Sequence, residues 1–266
     1  MAETTVLPGG GRTTVEPDRV RHTEPVMGTV FSFDVRHAPT PAVLGGLRGA
    51  VALLHRVDRA FSPFRPDSAV SRLARGELHR TDAPPEVRLV LGWCEEAEQR
   101  TGGCFSARAA GVLDPCGLVK GWATQRAHAL LRAAGAPRSS VNGGGDVCLG
   151  APPRPGTPWR TGVADPRRPG RLLAVVAGHD HAVATSGGAE RGAHIIDPRT
   201  GRPAAALLAA TVTGPDLTWA DAYATAAVVM GPEAHAWIGT LPDYALLTVD
   251  GDGRVRRSPN FPLAAP

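Results

Sequence analysis

Two kinds of apolar pattern alternate irregularly along this chain, and their order restricts the folds that it can adopt. Helical spacing of apolar residues predicts helices over 41–61, 86–100, 117–134 and 219–230. Short apolar runs between turn residues predict strands over 26–35, 172–177, 181–185, 193–196, 209–213 and 244–249. The regular spacing of β-α-β units, which build parallel sheets, is missing. We therefore predict an α+β fold.

The length of 266 residues suits one large domain or two small ones and allows a substantial core. The N-terminus has no basic region followed by an apolar region, so a signal peptide is not expected. We predict instead a flexible leader over residues 1–22. Residues 151–170 are rich in Pro, Arg and Gly, which predicts an exposed loop.

The bulk composition is that of an ordinary soluble globular protein, with 42% hydrophobic and 20% charged residues. The net charge of +4 comes from scattered arginines and only 5% of residues are aromatic, so we expect no nucleic-acid partner. We also expect no transmembrane segment, because no apolar run approaches roughly 20 residues. A cytoplasmic location is the expectation, and export by a route that the sequence does not show stays open.

The four cysteines are Cys94, Cys104, Cys116 and Cys148. Their spacing contains no CxxC pair, which argues against a zinc site. Reduced thiols are the simpler interpretation, although the sequence does not exclude a disulfide.

Lys120 is the only lysine among 29 Lys and Arg residues. It lies six positions after Asp114, on a glycine-bearing turn that opens a predicted helix. Because a helix N-terminus adds unpaired N–H groups and the positive end of a dipole, this stretch could bind a phosphate. The structural alternative is an Asp that caps the helix and a Lys in solvent.

The segment Asn142-Gly143-Gly144-Gly145-Asp146 joins two apolar pieces. Three glycines allow the backbone to approach a ligand closely or to adopt positive φ. The alternative is an ordinary tight turn.

His194 precedes a strong turn over 197–201, and Thr185-Ser186-Gly187 lies shortly before it. The imidazole could act as a base or as a hydrogen-bond partner. A packed or solvent-touching histidine is the alternative.

Asp221 and Thr225 are four residues apart on a predicted helix, so they share one face. A carboxylate and a hydroxyl, completed by water or phosphate oxygens, are ligands that Mg²⁺ prefers. The alternative is a polar pair that faces solvent.

Taken together and in this order, these motifs resemble those of the ApbE family, the FAD:protein FMN transferases. Further matching segments are Met27-Gly28-Thr29, the serine- and phenylalanine-bearing stretch over 61–73, and Gly102-Gly103-x-Phe105. The resemblance covers residues 25–250. The sequence departs from the family in two places. Many members carry an Asn after the segment that here reads Ser71-Arg72-Leu73-Ala74-Arg75, and Gly188-Ala189 replaces the usual aromatic residue.

The resemblance implies one domain over 23–266, with mixed helices and an antiparallel-rich sheet around a central FAD cleft. It implies Mg²⁺-dependent transfer of FMN from FAD to a Thr or Ser hydroxyl of an acceptor protein, with release of AMP. The implied FAD-binding residues are Met27, Phe64, Asp114, Lys120, Asn142, Gly144 and Ile196. The implied metal ligands are Asp221, Thr225 and a backbone oxygen near Gly117. The implied catalytic residues are Asp221 and His194. Of these, His194 would activate the acceptor hydroxyl.

Two other functions stay open at this point. One is an FAD pyrophosphatase, which would use water in place of the acceptor and yield FMN and AMP. The other is a non-catalytic FAD carrier, which the presence of Asp221, Thr225 and His194 disfavours.

Overall fold

The fold was analysed in a computed structural model that describes residues 3–6, 10–188 and 195–265. The helices are α1 (Pro41–Phe61), α2 (Ala69–Ala74), α3 (Pro85–Arg100), α4 (Cys116–Ala133), α5 (Leu217–Met230) and α6 (Ala234–Ile238). The first strands are β1 (Glu3–Val6), β2 (Arg12–Glu16), β3 (Arg19–Val26), β4 (Thr29–Val35), β5 (Ser139–Gly143), β6 (Asp146–Leu149) and β7 (Trp159–Ala164). The later strands are β8 (Leu172–Gly178), β9 (His181–Gly187), β10 (Ile196–Asp197), β11 (Arg202–Pro203), β12 (Leu207–Gly214), β13 (Ala245–Asp250) and β14 (Val255–Arg257).

A ten-stranded sheet is the centre of the structure. Its strand order is β1-β2-β3-β4-β5-β6-β9-β12-β13-β14. Each neighbouring pair is antiparallel, including the junction of β6 with β9. Strands β7 and β8 form a separate antiparallel hairpin, as do β10 and β11. The predicted α+β class with an antiparallel sheet is confirmed.

Helices cover one face of the large sheet, and the β7–β8 hairpin packs on the other. Each face of the sheet has its own hydrophobic core, and the side chains of β6 alternate between the two. Cys148 packs with α5 on one face, while Val147 and Leu149 pack with β7 and β8 on the other. Among the helices in the described ranges, none is both long and apolar enough to cross a bilayer.

The prediction of a flexible leader over 1–22 is wrong for the part of it that forms β2 and the start of β3. These strands pair through a two-residue turn, with Glu16 opposite Arg19. Along β3 every second residue is buried, including Val20 and His22, while Arg21 between them is exposed. This alternation is hard to recognise in the sequence because the buried positions include the polar residues Thr13, His22 and Glu24, whose burial depends on hydrogen bonds.

The exposed loop predicted over 151–170 is also partly wrong, because β7 lies inside it. Trp159 and Val163 are buried against the large sheet. The indole N–H of Trp159 donates to the carbonyl oxygen of Ala151 (2.9 Å). The strand is hard to predict from the sequence, because only two of its side chains point inward and the residues on either side are rich in proline and arginine.

Helix α1 has the bounds that the apolar spacing predicts. The Thr40 side chain accepts a hydrogen bond from the N–H of Val43 (3.3 Å), and Pro41 occupies the first helical position. Both features favour a helix start at this point. Helix α1 packs on α4, and α4 packs in turn on α5.

Candidate active site

Two tight turns lie side by side at one end of the large sheet. The first joins β3 to β4 through Met27 and Gly28, with φ angles of 56° and 68°. The second joins β5 to β6 through Gly144 and Gly145, with φ angles of 61° and 100°. Two successive positive φ angles match the twist of a two-residue hairpin loop. The glycine motif is therefore the tight turn that the structural alternative described.

The two turns contact each other. The N–H of Gly144 donates to the carbonyl oxygen of Val30 (3.3 Å). A Cβ on Gly144 would lie 2.5 Å from Oγ1 of Thr29, so only glycine fits there. The Asn142 side chain accepts the N–H of Gly145 (2.8 Å) and holds the turn closed. Met27 and Gly144, two predicted FAD-binding residues, are thereby brought together.

Met27 stands out because a non-glycine residue with positive φ is strained by roughly 1 kcal/mol. In the described residues only Asp180 shares this property. Strain of this kind persists where the surrounding structure enforces it, and it occurs often at functional sites. Met27 is partly buried, so its side chain is fixed next to the turn.

Lys120 projects from α4 toward the second turn. Its Nζ forms an ion pair with Oδ2 of Asp146, the last residue of the glycine motif. The Lys120 side chain keeps 25% exposure, whereas that of Asp146 keeps 1%. The solvated lysine of the structural alternative is therefore not observed, and the lysine is tied to a buried carboxylate.

Asp114 is exposed at the start of α4. Its Oδ1 accepts the N–H of Cys116 (3.0 Å), the first residue of the helix, so Asp114 satisfies one N–H at the helix start, although Pro115 occupies the N-cap position that the capping alternative gave to Asp114. The two interpretations do not exclude each other, because a carboxylate at a helix start can also face a ligand. The N–H of Asp114 donates to the carbonyl oxygen of Ala107 (2.7 Å), which fixes the loop before the helix.

Asp221 is buried between α5 and α4, with 2% exposure. Its Oδ2 accepts the N–H of Gly121 (2.9 Å). A Cβ on Gly121 would lie 2.5 Å from the carbonyl oxygen of Leu217 and 2.8 Å from Cβ of Asp221. The missing side chain at Gly121 lets the two helices approach closely enough for this bond. The alternative of a solvent-facing polar pair is therefore wrong for Asp221.

Thr225 lies one helical turn after Asp221 and is half-buried. Its Oγ1 is 3.1 Å from Oγ of Ser186 on β9. The same Oγ1 is 3.6 Å from the place where a Cβ of Gly117 would stand. The three residues implied for the metal, Gly117, Asp221 and Thr225, are therefore close together.

These groups suit a small hard cation. A carboxylate, two hydroxyls and a nearby backbone are oxygen donors, which Mg²⁺ prefers over nitrogen and sulfur. Within the described ranges no group of three or more His, Cys, Asp or Glu side chains could hold a metal. Mg²⁺ commonly binds through one or two carboxylates, waters and substrate phosphates, so a single carboxylate is compatible with it.

Gln125 of α4 sets the position of the helix that carries Asp221. Its Oε1 accepts the N–H of Leu217 (3.1 Å), the first residue of α5, and the Sγ–H of Cys148 (3.0 Å). Complete burial raises the pKa of the Cys148 thiol well above its usual range, so the thiol stays protonated and can donate.

Phe64 and Ile196 lie outside this hydrogen-bonded group. The Phe64 side chain is 91% exposed in the loop between α1 and α2. That loop is held by Ser68, whose hydroxyl donates to the carbonyl oxygen of Ser62 (2.7 Å). Ile196 is half-buried in β10. The predicted base His194 lies outside the described residues, so its position is not tested.

A cavity of about 350 Å³ opens beside Asp114, between α2, α3 and the loop before α4. Its apolar floor includes Leu73, Leu91, Cys94 and Leu113. Burial raises the pKa of the Cys94 thiol to about 12, so this residue contributes an uncharged surface.

Sequence comparison decides the family. The ApbE family matches this sequence over residues 27–112 and 106–247. The chain belongs to the ApbE family. The matched ranges contain Lys120, Asp146, Asp221 and Thr225, which the fold brings to one end of the sheet.

Curated ApbE relatives include two bacterial proteins named FAD:protein FMN transferase. The one from Rhodobacter capsulatus is 32% identical over 215 residues, which are 73% of this chain and 41% of the relative. The one from Vibrio cholerae serotype O1 is 33% identical over 157 residues, which are 54% of this chain and 47% of the relative. The matched part of the chain thus spans less than half the length of these relatives.

Solved ApbE structures show the same fold. The flavin transferase ApbE from Vibrio cholerae superimposes with a TM-score of 0.79 at 22% identity, covering 91% of this chain and 98% of that one. The ApbE protein from Thermotoga maritima gives a TM-score of 0.79 at 23% identity and the same coverage.

Three residues of this candidate site, Asp146, Ser186 and Gly121, are not among the site residues predicted from the sequence. Asp146 and Ser186 lie within motifs that the sequence displays, but their partners are distant in sequence. Gly121 carries a usable signal, because a glycine inside a helix costs about 1 kcal/mol and often marks a close packing contact.

Proposed function

We propose that this chain transfers FMN from FAD to a Thr or Ser hydroxyl of an acceptor protein and releases AMP. The observation that carries the proposal is the convergence of Asp221, Thr225 and Ser186 beside the Lys120–Asp146 pair. Membership of the ApbE family and the names of the curated relatives support it. Asp221, Thr225 and the backbone at Gly117 would hold Mg²⁺.

The proposed reaction is a displacement at phosphorus. The acceptor oxygen bonds to the phosphorus of the FMN half, and the bond from that phosphorus to the bridging oxygen breaks. AMP leaves with the bridging oxygen. Bound Mg²⁺ would neutralise the charge that develops on the pyrophosphate oxygens. His194 is the proposed acceptor of the hydroxyl proton, since a hydroxyl is a weak nucleophile until a base removes its proton.

The remaining proposed FAD contacts come from other elements. Met27, Asn142 and Gly144 belong to the two touching turns, whose backbone a flat or extended ligand can approach closely. The exposed ring of Phe64 offers an apolar face for an aromatic ligand. Asp114 and Ile196 are also proposed to contact FAD, and the 350 Å³ cavity next to Leu113 provides additional room on the side of Asp114.

The decisive experiment combines the protein with FAD, Mg²⁺ and an acceptor domain that carries a Thr-containing flavinylation motif. Transfer predicts flavin fluorescence on the acceptor band after denaturing electrophoresis and an FMN mass increase on that domain. A matched acceptor in which the Thr is replaced by Val should stay unlabelled.

The same reaction mixture separates transfer from hydrolysis. Free FMN and AMP in the presence of a competent acceptor, without labelled acceptor, would replace the transferase by an FAD pyrophosphatase. FAD binding without any AMP release would leave a flavin carrier. Both outcomes are read by chromatography of the small molecules.

A further inference from the structure

Two consecutive residues of α4, Lys120 and Gly121, each bind a buried carboxylate from another element. The N–H of Gly121 binds Asp221, and the side chain of Lys120 binds Asp146. Asp221 has its role in the proposed metal site. Asp146 is equally buried, and the proposed reaction gives it no task.

Both carboxylate oxygens of Asp146 have a partner. Oδ2 pairs with Nζ of Lys120, and Oδ1 accepts the N–H of Thr185 (3.0 Å). These partners come from α4 and β9, while Asp146 itself begins β6. With 1% of its side chain exposed, the carboxylate cannot turn into solvent. It therefore joins three elements at one point.

The two partners of Asp146 lead directly to the proposed reaction centre. Thr185 precedes Ser186, whose hydroxyl contacts Thr225 (3.1 Å). Lys120 precedes Gly121, whose N–H binds Asp221. A displacement of Asp146 would consequently move both the ammonium group and the strand that carries Ser186.

We propose that Asp146 is a positioning residue, which fixes the Lys120 ammonium and the Ser186 strand where they meet the pyrophosphate of FAD. The inference rests on the proposed function, because it takes FAD as the ligand. Asp146 does not itself contact FAD and acts through Lys120. The arrangement also explains why a lysine stands here in an arginine-rich chain, since a compact ammonium fits one carboxylate oxygen, whereas a planar guanidinium needs a wider partner.

The test measures FAD affinity in the absence of an acceptor, through quenching of flavin fluorescence in the presence of Mg²⁺. Asp146→Asn and Lys120→Met should each weaken FAD binding tenfold or more, because breaking a buried charge pair leaves the other partner uncompensated. The double variant should bind FAD no more weakly than the poorer single variant, since both changes remove the same interaction.

Asp146→Glu separates position from charge. It keeps the negative charge and moves the carboxylate by one methylene, and we expect at least a fivefold loss of FAD affinity. Asp34→Asn is the matched control, because it breaks the ion pairs of Asp34 with Arg19 and Arg36 (both 2.9 Å) at the opposite end of β4. It should leave FAD affinity within twofold of the wild type.

Two results would overturn the proposal. One is wild-type FAD affinity in both Asp146 variants, and the other is a double variant whose loss equals the product of the single losses. Thermal melting of each variant identifies misfolding. If Asp146→Asn does not fold, Asp146→Glu and Lys120→Met decide the question through their own affinities.

The outcome is independent of the transferase assay. If wild-type protein binds FAD and shows the coupling between Lys120 and Asp146, the positioning role stands even when no acceptor is labelled. If acceptor is labelled but the coupling is absent, the transferase stands and the positioning role fails.

Discussion

The Asp221 carboxylate is held by the backbone of a neighbouring helix, so its position does not depend on solvent. With one oxygen bonded to Gly121 and only 2% exposure, the side chain is already oriented before a cation arrives. Pre-oriented ligands reduce the cost of binding at the moment of reaction. The negative charge of Asp221, rather than its shape, is then the property that the proposed magnesium site requires.

Asp221→Asn tests this directly, because it preserves the shape and an oxygen for Gly121. We expect FMN transfer to fall on the order of 100-fold or more, with a higher Mg²⁺ requirement. The measurement is the initial transfer rate across a Mg²⁺ titration, with Asp34→Asn as control. Unchanged Mg²⁺ dependence in Asp221→Asn would remove this residue from the metal ligands.

Met27 carries backbone strain that a glycine would relieve. Met27→Gly removes strain of about 1 kcal/mol, but it also loses the packing of a partly buried side chain and raises the entropy of the unfolded chain, so the free energy of unfolding should change by less than about 1 kcal/mol. FAD binding should weaken, because the side chain beside the turn is lost. Urea unfolding and FAD titration measure the two effects. Asp180→Gly relieves the second strained position, far from the turns, and should change stability without changing FAD affinity. Equal FAD affinity in Met27→Gly would contradict a binding role.

At the level of elements, the contact between α4 and α5 depends on one absent side chain. Alanine at position 121 would place a Cβ against the backbone oxygen of Leu217 and against Asp221. Alanine favours a helix over glycine by about 1 kcal/mol, but overpacking a close contact costs about 1 to 3 kcal/mol. The steric cost is expected to prevail.

Gly121→Ala should therefore lower the melting temperature and reduce transfer together, since the helices separate and Asp221 moves. Gly92→Ala in α3 is the matched control, because no atom lies within 4 Å of its added Cβ. That variant should melt at the same or a higher temperature with full activity. A stabilised, active Gly121→Ala protein would refute the close-contact argument.

Elements were predictable where local chemistry is sufficient. The bounds of α1 follow from apolar spacing, a Thr cap and a Pro at the start. Strands β2 and β7 were not predictable, because their inward-facing residues are few or polar. These residues are recognised as buried only when the neighbouring strands are known. Within the site, the chemical type and spacing of the residues predicted roles for Lys120, Asp221 and Thr225. The pairing of Lys120 with Asp146 was not predictable, since it requires α4 to lie against β6.

For the whole molecule, buried histidines make the fold sensitive to acid. Burial lowers the pKa of His128 to about 4 from its ordinary 6.5, and burial also lowers the pKa values of His22 and His181. Between pH 6.5 and 4 the His128 side chain is mostly protonated in the unfolded chain and mostly neutral in the folded protein. Stability is therefore present above pH 6.5 and declines as the pH falls toward 4.

For His128 alone this linkage amounts to about 2 kcal/mol between pH 7 and pH 5. His128→Gln retains a donor for the carbonyl oxygen of Ser139, which His128 contacts at 3.1 Å. The variant should show a flatter pH dependence of the free energy of unfolding, measured by urea denaturation at several pH values. Identical pH dependence in the two proteins would show that His128 does not set it.

The hydrogen bond from Gly121 to Asp221 joins residues that are 100 positions apart. During synthesis on the ribosome, Lys120, Asp146 and Ser186 emerge well before α5 does. The segments that carry the lysine–aspartate pair are therefore synthesised before the helix that carries the Asp221 carboxylate. A chain that ends before α5 therefore lacks part of the proposed set of oxygen ligands, and the proposed flavin chemistry would begin only after α5 has docked on α4.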